Sequence, residues 1–224
     1  RSHDNAEKAW EAGHHQKEVV PVEIEPDFKM IKKDNGIRSG TLIEKLTKLK
    51  PAFDKKHGTL TAANSSFLTD GSAVCLIMTE SKAKELGFTP KAEIVDYCFT
   101  GQRLEDELLL GPAYAMSKVL DQTKLSLNDI DVFEIHEAFA GQVLTNIKCL
   151  ADDDFCKVEL QKEKPVGEID ISKVNKWGGS LSIGHPFGAT GARLLTTAAN
   201  RLIEENGHYA MLSACAAGAH GHAM

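Results

Sequence analysis

The sequence has no Cys-x-x-Cys pair, and its cysteine count is odd: Cys75, Cys98, Cys149, Cys156 and Cys215. That combination argues against a disulfide framework and for a reducing compartment. Apolar runs are all short, and none approaches the roughly 20 residues a membrane-spanning helix needs. No secretory leader pattern is visible. Positive charge is not in surplus either. With 26 Lys and Arg against 32 Asp and Glu the net charge is −6, which does not favour a nucleic-acid surface. No internal repeat or low-complexity segment interrupts the 224 residues, a length suited to one large domain or one domain plus part of a neighbour. The only notable acidic run, Ala151 to Phe155 (ADDDF), reads as a solvated loop. The chain opens on Arg1 rather than Met and closes on Met224 just after an apolar stretch, so both ends are expected to be cuts.

What is present is an alternation of short apolar runs with helical patterns. Residues 1–17 read as the end of a helix and Glu18 to Glu25 as a strand. Thr41 and Glu44 have capping-box spacing before a short helix carrying Leu42, Ile43, Leu46 and Leu49, stopped by Pro51. Gly58 to Ser72 is small and polar, hence a loop, and marks a boundary between residues 1–65 and a second domain over 66–224. Beyond it, Ala73 to Met78 reads as a buried strand, ESKAKELG as a helix that Gly87 ends, AEIVDYCFTG as a strand, and GPAYAMSKVLDQ as a helix. Asp129 to Glu137 is a strand, followed by a helix with Phe139, Val143, Leu144, Ile147 and Leu150 on one side. A last helix carries Leu194, Leu195, Ala198, Ala199, Leu202 and Ile203, closed by Asn206 and Gly207, before the buried strand HYAMLSAC. Such alternation predicts an α/β layered fold, at least partly parallel.

Three reactive side chains fall at strand ends or helix starts, where α/β folds gather their sites. His136 ends a strand, His185 lies in the glycine-rich turn GGSLSIGHPFGATGAR, and Cys215 ends the last strand. A helix N-terminus carries roughly half a positive elementary charge, which favours a neutral imidazole and an ionised thiol. Glycines nearby let substrate approach backbone N–H groups able to stabilise an oxyanion. Each feature also has a plainer use: the turn as a connection, His136 as a helix cap, Cys215 as packing. The turn lacks the Lys-Ser/Thr of a phosphate loop, and Gly184, Gly188 and Gly191 miss the dinucleotide spacing. Cys215, His220 and His222 match no zinc pattern, so no metal is expected. Cys98, Cys149 and Cys156 read as structural, and His14 and His15 as surface residues.

Taken in order, four segments resemble the thiolase family: AANSSFLTDGSAVCLIM, EIHEAFA, the turn GGSLSIGHPFGATGAR, and SACAAGAHGHAM. The resemblance is clear over Gly58 to Met224 and weaker before it. The phrases DNGIR, KLKPAF, LLLGP and the His before Glu-Ala-Phe are closest to the branch serving mitochondrial fatty-acid oxidation. It implies a C-terminal domain with a mixed five-stranded sheet and helices on both faces. It implies cleavage of a 3-ketoacyl-CoA by coenzyme A, with coenzyme A as substrate and no cofactor. His185 is then the base that activates a nucleophilic cysteine, Cys215 exchanges the proton with the leaving enolate and with CoA, and His136 completes an oxyanion site. Ser66 is expected at the pantetheine arm, Ala138 and Phe139 along the acyl or CoA channel, and the Ala217 N–H where the family has glycine.

The family's nucleophilic cysteine belongs to an earlier half, and none of the five cysteines here matches its context. The chain alone is therefore expected to be inactive and to need that N-terminal half. A homodimer, an α-subunit partner and a mitochondrial location follow from the resemblance only. Ala219 and His220 depart from the family's closing segment. Two other readings stand beside thiolysis. One is a non-catalytic half-thiolase that binds CoA or serves assembly. The other is a decarboxylating ketoacyl synthase, which uses two histidines in place of the histidine and late cysteine.

Overall fold

A computed structural model describes all residues, 1–224. The first segment holds helix α1 (Ser2–Glu11), the short strands β1 (Val22–Ile24) and β2 (Lys29–Ile31), and the single turn α2 (Ile43–Leu46). Then come α3 (Glu80–Leu86), β3 (Cys98–Gly101), α4 (Leu104–Glu107), α5 (Gly111–Thr123), β4 (Val132–Ile135), α6 (Ala140–Ala151) and α7 (Asp153–Val158). The chain finishes with α8 (Ser180–Ile183), α9 (Thr190–Glu204), β5 (Ala210–Ala216) and β6 (His220–Ala223).

The main sheet is mixed, in the order β3-β6-β5-β4. β4 runs parallel to β5, and β6 is antiparallel to both β5 and β3. Its two faces are covered differently because side chains alternate along each strand. Phe133, Ile135 and Met211 join α5 residues Ala113, Met116 and Leu120 and α6 residues Val143 and Leu150 in the larger core. Val132 and Leu212 point the other way, onto Leu194 and Ala198 of α9. The layered α/β prediction is thus met, with four strands in the sheet where five were expected. β6, which separates β3 from β5, ends at Ala223. An apolar groove of about 690 Å³ has residues 91–96 on one wall and residues 206–212 on another. Residues 92–97, upstream of β3, form no strand.

Several local expectations are not met. Residues 73–78 have strand composition but make no strand, and Val74, Leu76 and Ile77 are exposed. Leu42 rather than Thr41 caps α2, with no side-chain bond, and the Thr41 hydroxyl donates to Arg38 O instead. Leu42, Ile43 and Leu49 lie exposed, as do all side chains of the β1–β2 hairpin. The acidic run is not a loop: Asp152 accepts from the Phe155 N–H and caps α7, where Asp153 and Asp154 complement the helix N-terminus. Leu144 and Ile203, assigned to buried stripes, face solvent. His15 is buried, not superficial, with Nε2 2.7 Å from Trp177 O.

Charge inside the fold is concentrated on Arg201, which is fully buried. Its guanidinium donates to Glu134 Oε1 at 2.7 Å, Glu205 Oε1 at 2.8 Å, Lys173 O at 2.9 Å and Phe133 O at 3.1 Å. Burial opposes its charge, but the two carboxylates hold its pKa above the ordinary value. These bonds tie α9 to β4.

The start of α5 crosses β6 backbone to backbone. A Cβ on Gly221 would stand 2.2 Å from the Gly111 carbonyl, a contact no side chain can relieve. Gly221→Ala should therefore lower unfolding stability by about 1–3 kcal/mol in urea titrations. Gly141→Ala, at a helical position with open space around it, should instead be neutral or stabilising by up to about 1 kcal/mol.

Candidate active site

β4 and β5 are parallel, so both deliver their C-terminal ends to the same side of the sheet. His136 follows β4 directly, and its N–H donates to Ser213 O on β5 at 2.8 Å. Cys215 lies two residues further along β5, opposite Gly221. His185 arrives from the turn between α8 and α9. Its ring stacks on that of His136, centroids 4.0 Å apart and planes tilted by 35°. The structure thus joins the two histidines directly and sets Cys215 at the neighbouring strand end, with no hydrogen bond from the Cys215 thiol to either ring.

Both imidazoles are held neutral. Burial, the neighbouring His185 and the Arg193 guanidinium push the His136 pKa down to about 3. Desolvation and Arg193 also lower that of His185. Two protonated rings at this spacing would repel, so neutrality is what permits the stack. Cys215 behaves opposite to the expectation of an ionised thiol. It sits in a strand rather than at a helix N-terminus, and burial raises its pKa to about 11. A thiol kept protonated is a proton donor in waiting.

The turn that carries His185 needs room. Gly184 has φ +90°, and a Cβ there would lie 2.3 Å from the Thr69 methyl. The loop 68–71 and residues 185–188 together line an open polar groove of about 510 Å³, on which His185 borders. Among the expected substrate contacts, Ser66, Ala138 and Phe139 come together. Ser66 N–H donates to Ala138 O at 2.9 Å, and Ser65 bridges Phe139 in antiparallel register. Phe53 meets the Phe139 ring edge to face, centroids 6.1 Å apart. Ala217 is exposed in the β5–β6 turn, where Gly218 and Ala219 both take positive φ.

Five residues that the sequence reading passed over hold this arrangement. Ser180 Oγ lies 2.8 Å from His136 Nδ1, and Thr190 Oγ1 lies 2.7 Å from His185 Nδ1. Arg193 Nη2 donates to Ser180 Oγ at 3.4 Å, while its Nη1 stands 3.5 Å from Glu134 Oε2. Glu137, buried beside His136, accepts from Ser2 Oγ, Asn175 Nδ2 and the Leu181 N–H. Ser180 and Thr190 lie inside the glycine-rich motif and Glu137 inside EIHEAFA, so motif membership was their only signal. No cluster of His, Cys, Asp or Glu is arranged to hold a metal ion.

The buried neutral rings make stability depend on pH. In the unfolded chain a histidine titrates near 6.5, whereas folded His136 titrates near 3 and His15 near 4. Their contribution is complete above pH 6.5 and is lost as pH falls toward those lower values. Urea midpoints should drop steadily below pH 6.5, and His136→Asn, which removes one such group, should flatten the decline.

Comparison with known proteins identifies the family of the chain. Residues 88–224 match the family model for the thiolase C-terminal domain, and residues 1–81 match that for the thiolase N-terminal domain. The chain is 55% identical over its whole length to a probable 3-ketoacyl-CoA thiolase of Caenorhabditis elegans, covering 50% of that protein. It is 52% identical to the mitochondrial trifunctional enzyme subunit beta of Rattus norvegicus, covering 46% of it. Among solved structures it resembles the Bacillus anthracis acetyl-CoA acetyltransferase, with TM-score 0.84 and 39% identity over 100% of this chain and 52% of that one. It also resembles human mitochondrial 3-ketoacyl-CoA thiolase in complex with CoA, with TM-score 0.78 and 33% identity over 99% of this chain and 51% of that one. It spans about half the length of these curated relatives. On the family-model matches and on identity along its full length, this chain belongs to the thiolase family.

Proposed function

We propose that the chain supplies the acid–base part of an acetyl-CoA C-acyltransferase, a 3-ketoacyl-CoA thiolase of fatty-acid β-oxidation. The observation that carries this reading is the neutral His136–His185 stack at the end of β4, with a protonated Cys215 at the same end of the parallel strand β5. In this scheme His185 takes the proton of a nucleophilic cysteine supplied from outside the chain. The thiolate adds to the 3-keto carbon, and His136 donates a hydrogen bond to the oxygen as negative charge develops. The bond between C2 and C3 breaks, the acyl group stays on the nucleophile, and the Cys215 thiol protonates the acetyl-CoA enolate. Cys215, now a thiolate, takes the proton of an incoming CoA, whose sulfur attacks the acyl-enzyme; the bond from the acyl carbon to the nucleophile breaks, acyl-CoA leaves, and the released cysteine recovers its proton from His185. CoA is a substrate, not a cofactor.

Ser66, Ala138, Phe139 and Ala217 are assigned to the CoA and acyl path in this reading. By likeness to the mitochondrial trifunctional enzyme subunit beta, the same proposal extends to a mitochondrial location, to pairing with a second copy, and to an α subunit as partner. The competing reading is a non-catalytic half that only binds CoA or aids assembly.

An assay of 3-ketoacyl-CoA thiolysis separates these readings. The 224-residue chain alone should give no turnover, and the chain joined to a cysteine-bearing thiolase N-terminal half should cleave substrate. In that joined protein Cys215→Ala should lose about 10²–10⁴-fold in rate. Full turnover by the isolated chain, or an undiminished Cys215→Ala protein, overturns the proposal. Release of CO2 from a malonyl thioester without thiolysis would identify a decarboxylating condensing enzyme instead.

A further inference from the structure

The two stacked rings are equally placed but not equivalently partnered. Each Nδ1 meets one hydroxyl: Ser180 Oγ for His136 and Thr190 Oγ1 for His185. A hydroxyl has one proton to give and can accept through its lone pairs. Where that proton goes is decided by the hydroxyl's other neighbour, and here the two neighbours are of opposite kind.

Beside Ser180 is the Arg193 guanidinium, with Nη2 at 3.4 Å. A guanidinium only donates. Ser180 therefore accepts from Arg193, and its own proton is free to point at His136 Nδ1. That nitrogen is then the bare acceptor, and the ring proton of His136 sits on Nε2. Beside Thr190 is the Pro186 carbonyl, at 3.3 Å, which only accepts. Thr190 gives its proton there, a common arrangement for a threonine in the first turn of a helix. Its oxygen then accepts from His185 Nδ1–H, so Nε2 of His185 is bare.

From this we propose that Ser180, held by Arg193, and Thr190 are positioning residues that lock the stacked imidazoles in opposite tautomers. His136 presents an N–H at Nε2, and His185 presents a lone pair at Nε2. One ring is set as a hydrogen-bond donor and its neighbour as a base. Glu134 Oε2, 3.5 Å from Arg193 Nη1, faces the guanidinium from the far side without a hydrogen bond. The assignment of these two roles to the chemistry rests on the thiolase reading, but the tautomers themselves do not.

The test is a nitrogen NMR spectrum of the protein labelled with ¹⁵N-histidine, near pH 7.5, where both rings are neutral. Protonated and bare ring nitrogens are resolved by chemical shift, and the two rings are assigned by signals lost in His136→Asn and His185→Gln. The expected result is Nε2–H on His136 and Nδ1–H on His185. Ser180→Ala and Arg193→Met should each shift the His136 tautomer ratio about tenfold, the worth of one hydrogen bond. Ser180→Thr should restore it, and Thr190→Val should shift His185 alone. The same tautomer on both rings in the native protein overturns the proposal, whether or not any variant folds. So does a His136 ratio unmoved by both Ser180→Ala and Arg193→Met. None of these readings requires turnover, so failure of thiolysis and failure of the tautomer assignment are separate outcomes.

Discussion

The side chain of Asn175 takes the place of an edge strand. Its Oδ1 accepts from the Ile135 N–H and its Nδ2 donates to Ile135 O, both at 2.8 Å, so the outer margin of β4 is paired by an amide. The same Nδ2 reaches Glu137 Oε1 at 2.9 Å. Asn175 is fully buried and adopts positive φ, a conformation asparagine tolerates better than most residues. Because Ile135 and Glu137 flank His136, this one side chain holds the backbone before the imidazole and the carboxylate after it. Glu137 passes the constraint onward to Leu181 N–H, the residue after Ser180. The distance between His136 and its hydroxyl partner is thus set by a closed loop of hydrogen bonds among groups withdrawn from water, where a missing partner is costly.

Charge is handled in two ways within a short span of chain. Arg201 stays ionised in the interior because carboxylates and carbonyls surround it. His136, two residues beyond Glu134, is kept uncharged by burial and by the Arg193 guanidinium. α9 contributes both arginines, so one helix supplies a structural cation and a cation that discourages protonation of the rings. Cys215 completes the pattern as an uncharged acid, and the candidate site at rest therefore holds reactive groups in neutral form.

Much of this was legible in the sequence where side chains alone decide. The periodicity of α5, α6 and α9 and the apolar runs of β4 and β5 locate the layers correctly, since each element buries one face against a partner within the chain. His136, His185 and Cys215 were legible because each stands at a strand end or in a glycine-rich turn. Residues 73–78 and 92–96 were misread for one shared reason: an apolar run declares a wish to pair, but the neighbour is chosen by tertiary structure. Asn175, Ser180, Thr190 and Arg193 were missed because a polar residue carries no periodic signal. Their partners lie far away in sequence, as with Ser180 and His136, separated by 44 positions.

The apolar groove between α5 and α9 bears on how the molecule behaves in company. Leu212, Leu202 and Ile94 line it, while the Leu212 N–H and carbonyl are already paired with Met224, so it offers apolar side chains rather than a free strand edge. Crowded preparations of the chain are thereby exposed to adhesion between oily surfaces, a colloidal liability that grows with concentration and is unrelated to the histidine chemistry at the strand ends.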